Sequence, residues 1–131
     1  MLKIVDIHVA ETARGEYVVL QNQGLTTLTL RGWALCTDAY VSGDPDAAAR
    51  GMYIFTQDEQ IRPYTRVVLF TGHGESGWHP TTDGKHAFVT YWGRSDPAWR
   101  DTRYVHLLRL STSRRVVPRV EMTVAMAGSM G

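Results

Sequence analysis

Residues 16–35 read EYVVLQNQGLTTLTLRGWAL. The segment 16–22 is rich in residues that favour β-strands, and it ends in polar residues and a glycine that favour a turn. The segment 27–30 alternates polar and apolar residues, which is the period of a strand with one buried face. Gly32 then precedes Trp33, and a glycine can supply the unusual backbone angle of a bend between strands. The stretch therefore predicts three short strands joined by turns.

The same signals continue through the rest of the chain. Val5, Ile7 and Val9 alternate with polar residues, which predicts a strand that buries these three side chains. Further strands are predicted at 52–55, 66–71, 88–91, 105–110 and 115–117. No segment carries a long helical stripe, and only the segment 46–50 favours a short helical turn. Seven or more short strands separated by turn residues predict an all-β sandwich or barrel.

Length and composition indicate one globular domain. The chain has 131 residues, of which 44% are apolar and 21% charged, with a formal net charge of +1. These values are near the average for soluble domains, and they exclude wholesale disorder and a histone-like basic protein. Two long connections, 37–51 and 72–87, exceed ordinary hairpin loops and are expected to be functional or mobile. The last residues, 125–131, carry no packing pattern and are expected to fray.

One family resemblance rests mainly on the segment 16–35. It is similar to the opening of the lamin tail domain, which reads E-x-V-x-L-x-N, a turn, and a strand ending in L-x-G-W-x-L. The matching positions are Glu16, Val18, Leu20, Asn22, Leu30, Gly32, Trp33 and Leu35. The resemblance extends in order over 16–117, and it implies a single immunoglobulin-like antiparallel β-sandwich over 1–131. The absence of a preceding heptad repeat suggests a prokaryotic stand-alone or excised module.

The resemblance assigns structural roles to its matching positions. Val18 and Leu20 are expected to point into the core, with Leu28 and Leu30 opposite them. The side chain of Asn22 is expected to hydrogen-bond the backbone of the following turn. Trp33 is expected to fill the space between the two sheets. Together these roles describe a sandwich closed around a buried indole.

A candidate interaction surface lies towards the C-terminal end. Residues 94–131 contain seven arginines and only three acidic residues. Arginines interleaved with aromatic rings suit stacking and phosphate contacts, and they also dominate protein–protein hot spots. The candidate residues are Trp78, Arg94, Arg100, Arg103, Tyr104, Arg114 and Arg115. The competing interpretation is that the arginines are simply solvated and that Trp92 and Trp99 fill the core.

The sequence gives little support for catalysis. His73, His79 and His86 are six and seven residues apart, a spacing that matches no compact metal-ligand motif, so no metal site is expected. No nucleophile elbow and no phosphate-binding or dinucleotide motif is present, so neither an enzyme nor a cofactor is expected. Cys36 follows a core strand and is expected to be a small buried hydrophobe rather than a reactive thiol.

These observations lead to two functional hypotheses. The first is a non-catalytic immunoglobulin-like interaction module that binds a protein partner or a second copy of itself. The alternative is a nucleic-acid-binding accessory domain that uses the arginine and aromatic residues near 91–119. No apolar stretch of about 20 residues is present to cross a bilayer, so no membrane insertion is expected. The first ten residues lack the pattern of a signal peptide, which favours the cytoplasm.

Overall fold

The computed structural model of the chain describes residues 1–39 and 51–110 and the backbone of 118–119. The described residues form short strands and one turn of 3-10 helix, Ala13–Gly15. The strands are β1 (Leu2–His8), β2 (Tyr17–Asn22), β3 (Leu28–Thr29), β4 (Trp33–Cys36), β5 (Met52–Ile54), β6 (Gln60–Ile61), β7 (Arg66–Phe70), β8 (Gly77–Pro80), β9 (His86–Tyr91), β10 (His106–Leu110) and β11 (Pro118–Arg119). The prediction of an all-β, sandwich-type fold is confirmed. No helix in the described part is long and apolar enough to cross a membrane.

The chain divides into two compact units. The first unit combines Met1–Leu28 with Ile61–Arg100, and the second combines Thr29–Gln60 with Asp101–Gly131. The first unit contains a five-stranded sheet in the order β1-β2-β7-β9-β8, and the second a four-stranded sheet in the order β11-β10-β4-β5. Strands β3 and β6 form a separate two-stranded sheet.

The five-stranded sheet has one buried and one outer face. Its neighbouring strands are antiparallel except for β7 and β9, which are parallel. Alternation along the strands places one set of side chains on the buried face, where each is almost inaccessible to solvent. This set is Val18, Leu20, Val67, Leu69, Phe88 and Thr90. The opposite set, apart from the buried Ala87, is half-buried or exposed and forms the outer face.

Strand β1 corrects one prediction. The buried side chains are Leu2 and Ile4, whereas Val5 is 41% and Val9 40% exposed and Ile7 is half-buried. The pairing of β1 with β2 shifts register so that Val5 has no opposing residue, as in a β-bulge. A one-residue shift moves the following side chains to the other face of the strand. The simple alternation in the sequence therefore gave the wrong buried set.

The side chain of Asn22 joins the ends of three segments of the first unit. It is fully buried, and its Nδ2 donates to the carbonyl oxygens of Thr26 and Ile61, each at 2.9 Å. Its Oδ1 accepts from the backbone N–H of Gly24 and from the amino group of Met1, each at 3.0 Å. The predicted bonding of the following turn is confirmed, and the same side chain also fixes the N-terminus.

In the second unit, β4 is buried along its whole length. Gly32, directly before it, has a φ of +90°, so the predicted unusual backbone angle is confirmed. Its N–H donates to the carbonyl of Phe55 at 3.0 Å, and its carbonyl accepts from Leu110 at 2.8 Å. Trp33 is 7% exposed, and the guanidinium of Arg109 lies 5.4 Å from the centre of its ring.

Other differences from the sequence predictions are local. The connection 72–87 is not simply a loop, because it contains β8. Leu28 is half-buried rather than in the core, whereas Leu30 is fully buried. The predicted helical turn at 46–50, the predicted strand at 115–117 and the tail at 125–131 lie outside the described residues. The backbone of β11, just after that predicted strand, pairs with β10 as expected for a closing hairpin.

Candidate functional site: the outer face of the five-stranded sheet

Trp78 lies on β8, at one edge of the five-stranded sheet. It is 40% exposed, and its ring lies 5.5 Å from that of Phe88 on the neighbouring strand β9. The sequence predicted that Trp78 lies in an exposed loop. The residue is exposed, but it belongs to an edge strand. An indole in this position remains accessible to a partner.

Arg94 lies close to a tryptophan in the same unit. Its guanidinium is 4.9 Å from the centre of the Trp92 ring, and it donates to the carbonyls of Asp96 at 3.2 Å and Pro97 at 3.5 Å. The Trp92 ring is in turn 5.5 Å from that of Trp99. Trp99 is fully buried and Trp92 half-buried, so the core interpretation holds for the first and only partly for the second.

The remaining candidate residues do not all belong to the same unit. Arg100 is exposed and belongs to the first unit. Arg103 and Tyr104 belong to the second unit, where the guanidinium lies 5.6 Å from the centre of the phenol ring. Arg114 and Arg115 lie outside the described residues. Trp78, Arg94 and Arg103 each have a different ring partner, so the arginines and aromatics pair locally.

The outer face of the five-stranded sheet carries a row of four rings, one from each of four adjacent strands. His8 and Tyr17 stack at 5.0 Å between ring centres, Tyr17 and Phe70 are 5.4 Å apart, and Phe70 and Tyr91 stack at 5.4 Å. We call these four residues the ring row. Such contacts add to the apolar area that the rings bury, so the row stabilises the sheet as well as shaping its surface.

A second row on the outer face consists of valines. Val19 pairs with Val68, and Val68 pairs with Val89, so three β-branched side chains lie side by side on β2, β7 and β9. All three are half-buried. Only the apolar character of Tyr17 and Val19 on the outer side of β2 was visible in the sequence, because the rest of the face depends on strand order and register.

One end of the ring row is covered by the chain itself. A Cβ built on Gly74 would lie 2.4–2.6 Å from three atoms of the Tyr91 ring. The backbone of the segment before β8 therefore rests directly on this ring, and only glycine allows that approach. The accessible part of the ring row is accordingly its other end, at His8 and Tyr17.

Glu16 is a buried carboxylate with a structural role. It is fully buried, and its Oε1 accepts from the hydroxyl of Thr71 at 2.7 Å and from the backbone N–H of Ala98 at 2.8 Å. The N–H of Trp99 adds longer contacts to both carboxylate oxygens. These donors satisfy the hydrogen-bonding capacity of the carboxylate and fix the segment that carries Trp99.

The second unit contains a histidine, an aspartate and a cysteine in adjacent positions. Nε2 of His106 lies 2.6 Å from Oδ1 of Asp38, and His106 pairs with Cys36 across the strands. Burial, with a smaller contribution from the charge of Asp38, raises the pKa of the Cys36 thiol to about 12. A thiol with this pKa stays protonated at neutral pH, which makes it a poor nucleophile. In the described part of the chain, no three His, Cys, Asp or Glu residues are arranged to hold a metal ion.

Asp38 gives the second unit a pH-dependent contribution to stability. Partial burial alone would raise the pKa of Asp38, but hydrogen bonds from the His106 side chain, the Arg103 N–H and the Thr102 hydroxyl, with the charge of His106, lower it. A carboxyl group with a lowered pKa stabilises the folded state above its unfolded pKa, and this contribution disappears as the pH falls through the folded pKa.

We therefore expect Asp38→Asn to lower the free energy of unfolding at pH 7 by about 1 kcal/mol at most, because the group is 41% exposed. The difference in Tm between wild type and variant should close as the pH falls below the ordinary Asp pKa of about 3.9. Thermal unfolding between pH 3 and 7 measures this. Asp101→Asn, at an exposed site in the same unit, is the control and should show no such pH-dependent difference. A constant difference at all pH values would contradict the prediction.

Comparison with known proteins identifies no relative of this chain. No protein-family model matches the chain, and no curated protein matches its sequence.

Proposed function

We propose that this protein is a non-catalytic interaction module and that the outer face of its five-stranded sheet binds a second copy of the chain. The observation that carries this proposal is the adjacent rows of valines and rings on that face, which are only half-buried. Contiguous apolar surface of this kind is typical of protein–protein contact sites.

The orientation of the rings favours a protein partner over nucleic-acid bases. Phe70 and Tyr91 are nearly parallel, with 18° between their planes, and their faces are turned towards each other. A base needs the open face of a ring to stack upon, as in single-strand binding proteins. Rings that stack on one another offer mainly their edges, which pack well against aliphatic and aromatic side chains.

The size of the face sets the expected affinity. Five strands about 4.8 Å apart, each about 17 Å long, give a face of roughly 400 Å². A standard interface takes about 800 Å² from each partner, so this face supports a weak association unless its rim contributes. We therefore expect a dissociation constant of roughly 0.1 mM.

The test is sedimentation velocity from about 10 µM to 1 mM, a range that brackets the expected dissociation constant. The wild type should shift from monomer to dimer over this range. Val68→Lys, which places a charge at the centre of the outer face, should remain monomeric. Val5→Lys is the matched control, because Val5 is an exposed valine at the bulge of the edge strand β1. It should associate as the wild type does.

Two results would contradict the proposal. The first is a wild type that stays monomeric at the highest concentration. The second is dimerisation that Val68→Lys and Val5→Lys weaken equally. Circular dichroism and Tm of both variants show whether each is folded, which separates lost association from lost structure.

Nucleic-acid binding is the second candidate. It is supported by the two arginine–aromatic pairs, Arg94 with Trp92 and Arg103 with Tyr104. In each pair the guanidinium occupies a ring face that a base would need, which leaves phosphate contact as the available mode. Affinity for a short DNA duplex should then fall steeply with salt. The absence of binding at low salt would exclude this candidate.

Membership of the lamin tail family is part of the same proposal. Three features support it: the buried side chain of Asn22, the positive φ of Gly32 and the burial of Trp33. The family resemblance implies an immunoglobulin-like module whose function is recognition. Function itself must be argued from the surface, since one fold hosts many activities.

A further inference from the structure

A small cleft lies at one end of the five-stranded sheet, within the first unit. Its volume is about 90 Å³. Its lining is mostly polar and comes from β2, the turn before β7, β7 itself and the hairpin between β8 and β9. The lining residues are Gln21, Tyr64, Thr65, Arg66, Thr81, Asp83, Lys85 and His86.

One wall of the cleft is a turn with an unusual residue. The N–H of Thr65 donates to the carbonyl of Arg62 at 3.1 Å, and Tyr64 has a φ of +65°. Proline followed by a residue with positive φ defines a type II turn, in which glycine is favoured where Tyr64 stands. The carbonyl of Tyr64 accepts from the Gln21 amide at 3.1 Å, and its side chain is 54% exposed. The turn thus places Tyr64 in the lining of the cleft.

The opposite wall is the end of the β8–β9 hairpin. The N–H of Thr81 donates to the carbonyl of Lys85 at 2.7 Å, and Gly84 has the positive φ that the turn requires. Oδ1 of Asp83 accepts from the Thr81 hydroxyl and from the N–H of Lys85. The acidic group at the cleft is therefore engaged in holding its own hairpin.

The balance of charge at the cleft is positive. Two permanent cations, Arg66 and Lys85, line it with His86, against the single carboxylate of Asp83. None of the ion pairs among the described residues involves Arg66, and its side chain is exposed. A guanidinium can donate two parallel hydrogen bonds to an oxyanion, and the hydroxyls of Tyr64 and Thr65 supply further donors.

We propose that this cleft binds a phosphoryl group, with Arg66 as the principal contact and Lys85 as the second cation. A phosphate dianion complements the positive charge of the cleft better than a single carboxylate does. The inference goes beyond the self-association proposed above. It involves different residues of the same sheet, and either can fail alone.

The test is an NMR titration of the ¹⁵N-labelled protein with inorganic phosphate at constant ionic strength. Saturable shifts should be confined to the amides around the cleft, with a dissociation constant of about 1 mM. Arg66→Gln should weaken binding at least fivefold. Arg62→Gln is the matched control, since Arg62 is an exposed arginine of the same turn that does not line the cleft. It should change the dissociation constant less than twofold.

Titrations with other compounds determine which class of ligand the cleft prefers. O-phosphoserine and adenosine monophosphate, tested separately, show whether the phosphoryl group is better accepted on an amino acid or on a nucleotide. Acetate at the same ionic strength should bind at least fivefold more weakly than phosphate. The proposal is overturned by equal binding of acetate and phosphate, by equal weakening in both arginine variants, or by the absence of saturable shifts. Titrations at about 20 µM protein, well below the dissociation constant expected for the dimer, keep most of the chain monomeric, so dimerisation contributes little to the outcome.

Discussion

Trp33→Ala is expected to lower the free energy of unfolding by about 3–5 kcal/mol, the usual cost of removing a buried aromatic side chain. Trp33 is 7% exposed, lies in a strand that is buried throughout, and has the guanidinium of Arg109 over its ring. The substitution would leave a cavity and remove this stacking partner. Urea-induced unfolding, followed by far-ultraviolet circular dichroism, measures the loss as a lower midpoint with an unchanged slope.

The same substitution at another tryptophan serves as the control. Trp78 is 40% exposed and makes its ring contact with Phe88 at a sheet edge, so Trp78→Ala should cost only about 1 kcal/mol. If Trp33→Ala and Trp78→Ala lowered the free energy of unfolding by similar amounts, the difference in burial between the two indoles would not determine their contribution to stability. A loss below about 1 kcal/mol for Trp33→Ala would contradict its assignment to the core.

Asn22→Ala is expected to cost about 3–4 kcal/mol, although the side chain is small. The substitution leaves the carbonyls of Thr26 and Ile61 without their donor, and the Gly24 N–H and the Met1 amino group without their acceptor, and each hydrogen bond contributes about 1 kcal/mol. For a domain of this size the loss corresponds to a fall in Tm of roughly 10–15 °C. Differential scanning calorimetry measures it.

Two further variants test the hydrogen bonds of Asn22 more directly. Asn22→Asp keeps the acceptor but turns an oxygen towards the carbonyls of Thr26 and Ile61, so it should be at least as destabilising at pH 7. Gln23→Ala, at the exposed neighbouring position, should leave Tm within about 2 °C. If Asn22→Asp were as stable as the wild type, the two donated hydrogen bonds would not contribute as described.

Local sequence patterns were sufficient for much of the fold. The strands predicted within 16–35 are present, with Asn22 bonding its turn and Gly32 in a positive-φ conformation. These features depend on residues close in sequence, where propensity and turn chemistry act directly. The bulge at Val5 could not be predicted, because it depends on how β1 aligns with β2, which begins nine residues after β1 ends.

The surface was harder to predict than the strands. The composition near the C-terminal end predicted a surface of arginines and aromatic residues, but these residues pair locally and are divided between the two units. The ring row needs four strands in a specific order, including the parallel pair β7 and β9, and sequence alternation does not give strand order. Glu16 matched the family motif, yet its partners at Thr71 and Ala98 are far along the chain.

The bulge in β1 affects how copies of this protein can meet. Backbone groups along the free edge of a sheet act as a template for another strand, and repeated edge-to-edge addition builds filaments. Val5 interrupts the regular spacing of those groups on β1, and Lys3 adds a charge that an incoming strand would have to desolvate. This edge is therefore protected against open-ended polymerisation. The proposed contact through the sheet face, by contrast, would leave no free face for a third copy once two copies have met.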